Sequence, residues 1–93
     1  MITAIVLIST AVDHIPETAS MLAEVDGVSE VYSVTGDHDL IALVRVSAHE
    51  QLATVISDKM SKVPGVVATT THIAFKAYSK HDLEAAFDIG LED

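Results

Sequence analysis

The sequence predicts an α+β domain of order βαββαβ, with four antiparallel strands, two helices on one face and a short C-terminal helix. Three observations lead there. Apolar, β-branched runs alternate with stretches of helical spacing in that order. Both predicted helices end in the same Val-x-Gly-Val, at Val25-Asp26-Gly27-Val28 and Val63-Pro64-Gly65-Val66. A polar turn, Val34-Thr35-Gly36-Asp37-His38-Asp39-Leu40, joins two strands in the middle of the chain. Two strand–helix–strand units joined by a hairpin, each with a right-handed crossover, place both helices on the same face. That is the split βαβ, or ferredoxin-like, arrangement.

The elements follow in order. Ile2 to Ile8 is apolar and β-branched throughout, as suits a central strand. Asp13 stands where it can cap the next segment, and Pro16 is tolerated in a first turn whose N–H groups lack helical partners. Ile15, Ala19 and Leu22 form one helical stripe, ending near Val25-Asp26-Gly27. Val28 to Thr35 reads as the second strand and Leu40 to Val46 as the third, paired as a hairpin. Ser47-Ala48-His49-Glu50 has capping-box spacing and opens a helix with the inner stripe Leu52, Val55, Ile56 and Met60, stopped at Val63-Pro64-Gly65. Val66 to Tyr78 reads as a long fourth strand. Ser79-Lys80-His81-Asp82 begins a terminal helix over residues 79–90, using Leu83, Ala86 and Phe87 and ending at Gly90. No linker interrupts the chain, so residues 1–93 read as one domain with its core in 1–78.

Composition narrows the partners. Hydrophobic residues are 49% of the 93 but aromatic ones only 4%, so the core is aliphatic. The first strand offers Ile2, Ala4, Val6 and Ile8 to one face and Ile5 and Leu7 to the other; the third offers Leu40, Ala42, Val44 and Val46 against Ile41 and Leu43. Whichever face the helices cover, apolar surface remains, and two sheets packed face to face in a dimer would bury it. With 5 basic residues against 14 acidic ones, a formal −9, the chain lacks the clustered cations that replace phosphate counterions. Direct nucleic-acid binding and docking on an anionic membrane are therefore not expected. The absence of cysteine excludes disulfides and thiol chemistry. The opening apolar run is too short to span a bilayer and has no basic leader, so the expected location is the cytoplasm.

The central turn carries the chemistry. Backbone N–H groups around Gly36 can hold a carboxylate, and a neighbouring aspartate can hold an ammonium. Together they suit the two ends of a free amino acid. Asp37, His38 and Asp39 also invite a metal, completed by His72, His14 or His49, but the histidines show no ligand spacing and no metal is expected. An acid/base pair of Asp39 and His38 would make a small ferredoxin-like dimeric enzyme. With no nucleophile beside a base, no nucleotide loop and no cofactor motif, catalysis and cofactors are not expected. A purely structural oligomerisation module is the remaining alternative.

Three segments in this order, Gly27-Val28-Ser29-Glu30-Val31, Val34 to Leu40, and Pro64-Gly65-Val66-Val67-Ala68-Thr69-Thr70-Thr71, resemble the effector (RAM) domain of the leucine-responsive/asparagine-responsive (Lrp/AsnC, feast/famine) regulators. The resemblance runs from Met1 to about Lys76. It implies a βαββαβ fold, sheet-to-sheet dimers assembling into rings such as octamers or decamers, and a small amino acid bound between dimers to regulate transcription or metabolism. It places the ligand at Gly36, Asp37, His38 and Asp39, with Asp39 as the ammonium partner, and at Thr69 and Thr71 from another chain. The family carries an N-terminal helix-turn-helix domain, whereas this chain starts directly at the first strand, so the resemblance is to stand-alone effector domains. A full-length regulator of the family then becomes the expected partner. His38 stands where the family often has Tyr or Phe, and its charge can change near neutral pH.

Overall fold

The computed structural model describes residues 1–78 and residue 80. The expected terminal helix over 79–90 lies outside the described residues, apart from Lys80. Four antiparallel strands form one sheet in the order β2-β3-β1-β4: β1 is Ile2–Thr10, β2 Val28–Ser33, β3 Leu40–Val46 and β4 Val66–Ala74. Helix α1, Ile15–Ala23, and a second helical segment between β3 and β4 lie on one face. The fold is the ferredoxin-like βαββαβ that the sequence predicts.

Alternation along the two central strands decides the layering. Ala4, Val6 and Ile8 of β1 and Leu40, Ala42 and Val44 of β3 are fully buried. They form the core with Leu22 of α1 and with Leu52, Val55, Ile56 and Met60 of the second helical segment. The stripes expected for both helices face inward. On the other face Ile5, Leu7, Ile41 and Leu43 are only half-buried, because no helix among the described residues covers them.

The repeated Val-x-Gly-Val is a repeated turn. In each copy the last valine's N–H donates to the first valine's carbonyl, Val28 to Val25 at 3.0 Å and Val66 to Val63 at 3.1 Å. Gly27 (φ +99°) and Gly65 (φ +98°) hold the third position, where a type II turn needs positive φ. Each glycine carbonyl then accepts a distant amide, Gly27 that of Arg45 in β3 and Gly65 that of Ala11 just past β1, both at 2.9 Å. The buried Thr18 hydroxyl donates to the Pro64 carbonyl at 3.1 Å, tying α1 to the second turn.

Several local expectations are corrected. Asp13 does not cap α1: it lies inside a 3-10 turn, Val12–His14, and no side chain caps either helical start. The capping box is shifted by one residue. Ala48 is the N-cap and Gln51, not Glu50, reaches back, its Oε1 accepting from the amides of Ala48 (3.0 Å) and Ser47 (2.8 Å) and from the Ser47 hydroxyl. The second helical segment is α-helical only over His49–Leu52 (α2), widens to a π-helix over Ala53–Lys59 and tightens to 3-10 over Met60–Lys62. Strand β1 runs two residues past Ile8. Strand β2 stops at Ser33, and β4 stops at Ala74, short of Tyr78. At the far end of β1, Thr3 pairs with Ala74.

Candidate functional site

The polar turn closes on itself and on β1. Val34 N–H donates to the Asp39 carbonyl at 3.1 Å, and Asp39 N–H donates to the Ile8 carbonyl at 3.0 Å. Gly36 has φ +110°, with no atom within 4 Å of where a Cβ would stand, so this glycine serves backbone conformation alone. Gly36 and Asp37 are exposed, whereas His38 and Asp39 are half-buried. Asp39 Oδ2 accepts the Thr10 amide at 2.8 Å. The residue expected to hold an ammonium thus first anchors the end of β1, and only Oδ1 is left free of that bond.

Thr10 is the residue that sequence reasoning missed. It follows Ala4, Val6 and Ile8 on the core-facing parity of β1 and is nearly buried. A hydroxyl on that parity was the available signal. Among the described residues, two buried side-chain polar atoms lack any hydrogen-bond partner: Thr10 Oγ1 and His38 Nδ1. Both flank Asp39, one through its hydrogen bond and one through the chain. Buried polar groups are rarely left unpaired, at a cost of about 1–3 kcal/mol each.

Strand β4 lies at the sheet edge, with β1 between it and β3. Ile8 pairs with Leu40 on one side and Thr69 on the other, and Val6 pairs with Thr71. A bulge at Val67, where Ser9 opposes Ala68 and Thr10 opposes Val66, sets this register. Thr69 and Thr71 therefore share the helix-side face, with Thr69 half-buried and Thr71 exposed. Thr69 lies two strand spacings, about 10 Å, from the base of the turn in the same protomer. Among the described residues no three His, Asp or Glu side chains gather into a metal-sized cluster.

The open sheet face has its own polar cluster. The Tyr32 hydroxyl donates to Glu30 Oε2, and Arg45 pairs with Glu30 Oε1 at 3.4 Å. The Tyr32 hydrogen bond, followed by Arg45, holds the Glu30 carboxyl below its ordinary range. The same hydrogen bond and the Glu30 charge push the Tyr32 hydroxyl upward. These groups border the half-buried Ile5, Leu7, Ile41 and Leu43. No helix among the described residues is long and apolar enough to cross a membrane.

Comparison with known proteins agrees with this geometry. A family model described as the Lrp/AsnC ligand binding domain matches residues 3–83. The chain is 36% identical over 77 residues to the uncharacterized HTH-type transcriptional regulator YugG of Bacillus subtilis, covering 83% of this chain and 45% of that one. It spans about half or less of the curated relatives it matches first. The crystal structure of TTHA0845 from Thermus thermophilus superposes with a TM-score of 0.80 at 42% identity, covering 86% of this chain and all of that one. The fold also matches the transcriptional regulator NMB0573 of Neisseria meningitidis in complex with L-methionine, with a TM-score of 0.75 at 16% identity over 84% of this chain and 52% of that one. With the family model matching residues 3–83 and the fold in agreement, the chain belongs to the Lrp/AsnC ligand-binding domain family.

Proposed function

We propose that this domain is a non-catalytic cytoplasmic sensor that binds a small amino acid beside the turn at residues 34–40 and couples binding to assembly or to a partner. The observation that carries the reading is the pair of buried, unpartnered atoms, Thr10 Oγ1 and His38 Nδ1, flanking the one carboxylate that fastens turn to strand. Groups left so are ready to exchange hydrogen bonds with a ligand. The exposed N–H groups around Gly36 and Asp37 receive the carboxylate, and Asp39 Oδ1 receives the ammonium. Thr69 and Thr71 line the site from a neighbouring copy. The Neisseria regulator, solved with L-methionine, supports the ligand class through the shared fold.

The half-buried apolar face of Ile5, Leu7, Ile41 and Leu43, which no helix among the described residues covers, supports a sheet-to-sheet homodimer, and dimers assemble into a larger ring. A site shared between copies is tighter in one assembly state than in another, which is the difference a ligand needs to shift the equilibrium. The partner is a full-length regulator of the same family, joined by mixed assembly. The domain itself does not touch nucleic acid, consistent with its formal charge of −9.

Thermal denaturation against the twenty amino acids tests the reading, with light scattering in parallel. A ligand present at 100 times its dissociation constant stabilises the folded form by about 2.7 kcal/mol. The expected result is a shift with one or a few amino acids, lost in Asp39→Ala, and a change in assembly mass. Stable assembly that ignores all twenty would leave only an oligomerisation module.

A further inference from the structure

An amino acid held at the turn places its two charged ends on groups already named, the carboxylate on the exposed N–H groups around Gly36 and Asp37 and the ammonium on Asp39 Oδ1. Two atoms beside Asp39 are then still unanswered, Thr10 Oγ1 and His38 Nδ1. The fastening of turn to strand brings them together. Asp39 N–H donates to the Ile8 carbonyl at 3.0 Å, and Asp39 Oδ2 accepts the Thr10 amide at 2.8 Å. Thr10 is only 8% exposed, and its hydroxyl oxygen is shut off from solvent. Strand β1 carries Val6 and Ile8 on the same face, and a valine at position 10 would make the same backbone bond with no orphaned oxygen. The hydroxyl therefore answers something that the ligand-free protomer does not contain.

Hydrogen-bonding capacity decides what the pair can recognise. A threonine hydroxyl both donates and accepts, and a ring nitrogen does one or the other according to tautomer. A hydroxyl or a carboxamide carries a donor and an acceptor, so it satisfies both atoms with either tautomer. An aliphatic side chain would leave both buried and unpaired. A carboxylate would enter beside Asp37 and Asp39 and against the formal −9 of the chain. A second ammonium or a guanidinium would find only a hydroxyl and a ring nitrogen opposite it. Resting on the reading of the turn as an amino-acid site, we propose that the bound amino acid has a neutral hydrogen-bonding side chain, a hydroxyl or a carboxamide, held by Thr10 Oγ1 and His38 Nδ1.

Titration calorimetry of the intact protein with each of the twenty amino acids tests the proposal. Threonine with valine, and asparagine with leucine, serve as pairs close in shape. The tightest ligand is expected among serine, threonine, asparagine and glutamine. In the tighter-binding of the two pairs, the apolar member should be about tenfold or more weaker than the polar one. Thr10→Val should bring that ratio close to one, whereas Thr10→Ser, which keeps the hydroxyl, should preserve it. A tightest ligand outside those four, an apolar member as good as its polar partner, or an unchanged ratio in Thr10→Val would each overturn the proposal and leave the turn standing as an amino-acid site. The parent protein alone decides the first two of these. Binding of none of the twenty would overturn that underlying reading as well.

Discussion

The amide of Thr10 donates to the carboxylate of Asp39 at 2.8 Å, joining residues 29 apart in sequence. This bond fastens the end of a central strand to the base of the loop proposed to bind ligand, so stability and binding are linked through one side chain. Asp39→Ala leaves the part-buried Thr10 N–H without its acceptor and is expected to cost about 1–3 kcal/mol. Asp39→Asn keeps an acceptor oxygen and should lose less. Urea denaturation of the two variants gives the comparison, and equal losses would show that the hydrogen bond is not the cause.

Thr10→Val tests the unpartnered hydroxyl separately. The shapes match and the buried oxygen disappears, so the ligand-free protein should be as stable as the parent or slightly more so. The thermal shift produced by an amino acid should shrink in the same variant. A loss of intrinsic stability would show that the Thr10 hydroxyl is already satisfied in solution.

The glycines differ in what a methyl group would meet. Gly36→Ala carries only the strain of φ +110°, on the order of 1–2 kcal/mol. Gly65→Ala carries similar strain at φ +98° and also drives its Cβ into Thr18 Oγ1, a fully buried atom that cannot swing aside. Its loss should be clearly larger and should be partly recovered by Thr18→Ala. Chemical denaturation of the three variants measures this.

The cluster on the open face sets the direction of a pH effect. Glu30 lies below its ordinary 4.5 in the fold, so its contribution is complete above that value and is lost as pH falls through the lowered one. Tyr32 lies above its ordinary 10.0, so its contribution is complete below that value and is lost as pH rises through the raised one. Tyr32→Phe removes the shared hydrogen bond. Denaturation midpoints followed from acid to alkaline pH should fall less steeply at both ends, and an unchanged profile would show that the pair is not formed in solution.

Much of this was legible in the residues. Strand β3 begins and ends where its apolar run does, and the duplicated Val-x-Gly-Val marks two equivalent helix ends in the sequence itself. The misses have physical causes. Val66 to Tyr78 has strand composition throughout, but β4 is an edge strand whose only partner among the described residues is β1, and that pairing runs out where Thr3 meets Ala74. Phe75 is accordingly 97% exposed. The spacing of Leu52, Val55, Ile56 and Met60 keeps one face buried whether the turns are α or wider, so the π-helix left no mark. In the candidate site the turn was visible because Gly and Asp are conspicuous there. Thr10 was not, because its significance arises only once Asp39 folds back onto β1.

The pairing of Thr3 with Ala74 also has a practical outcome. Both leave the sheet at one corner, while Ile8 and Leu40 stand five pairs away along β1, about 17 Å distant. Cargo fused to Met1 would hang clear of the loop, and a tandem repeat spliced at this corner would need only a brief tether. Reporter proteins grafted there would stay clear of the turn at residues 34–40.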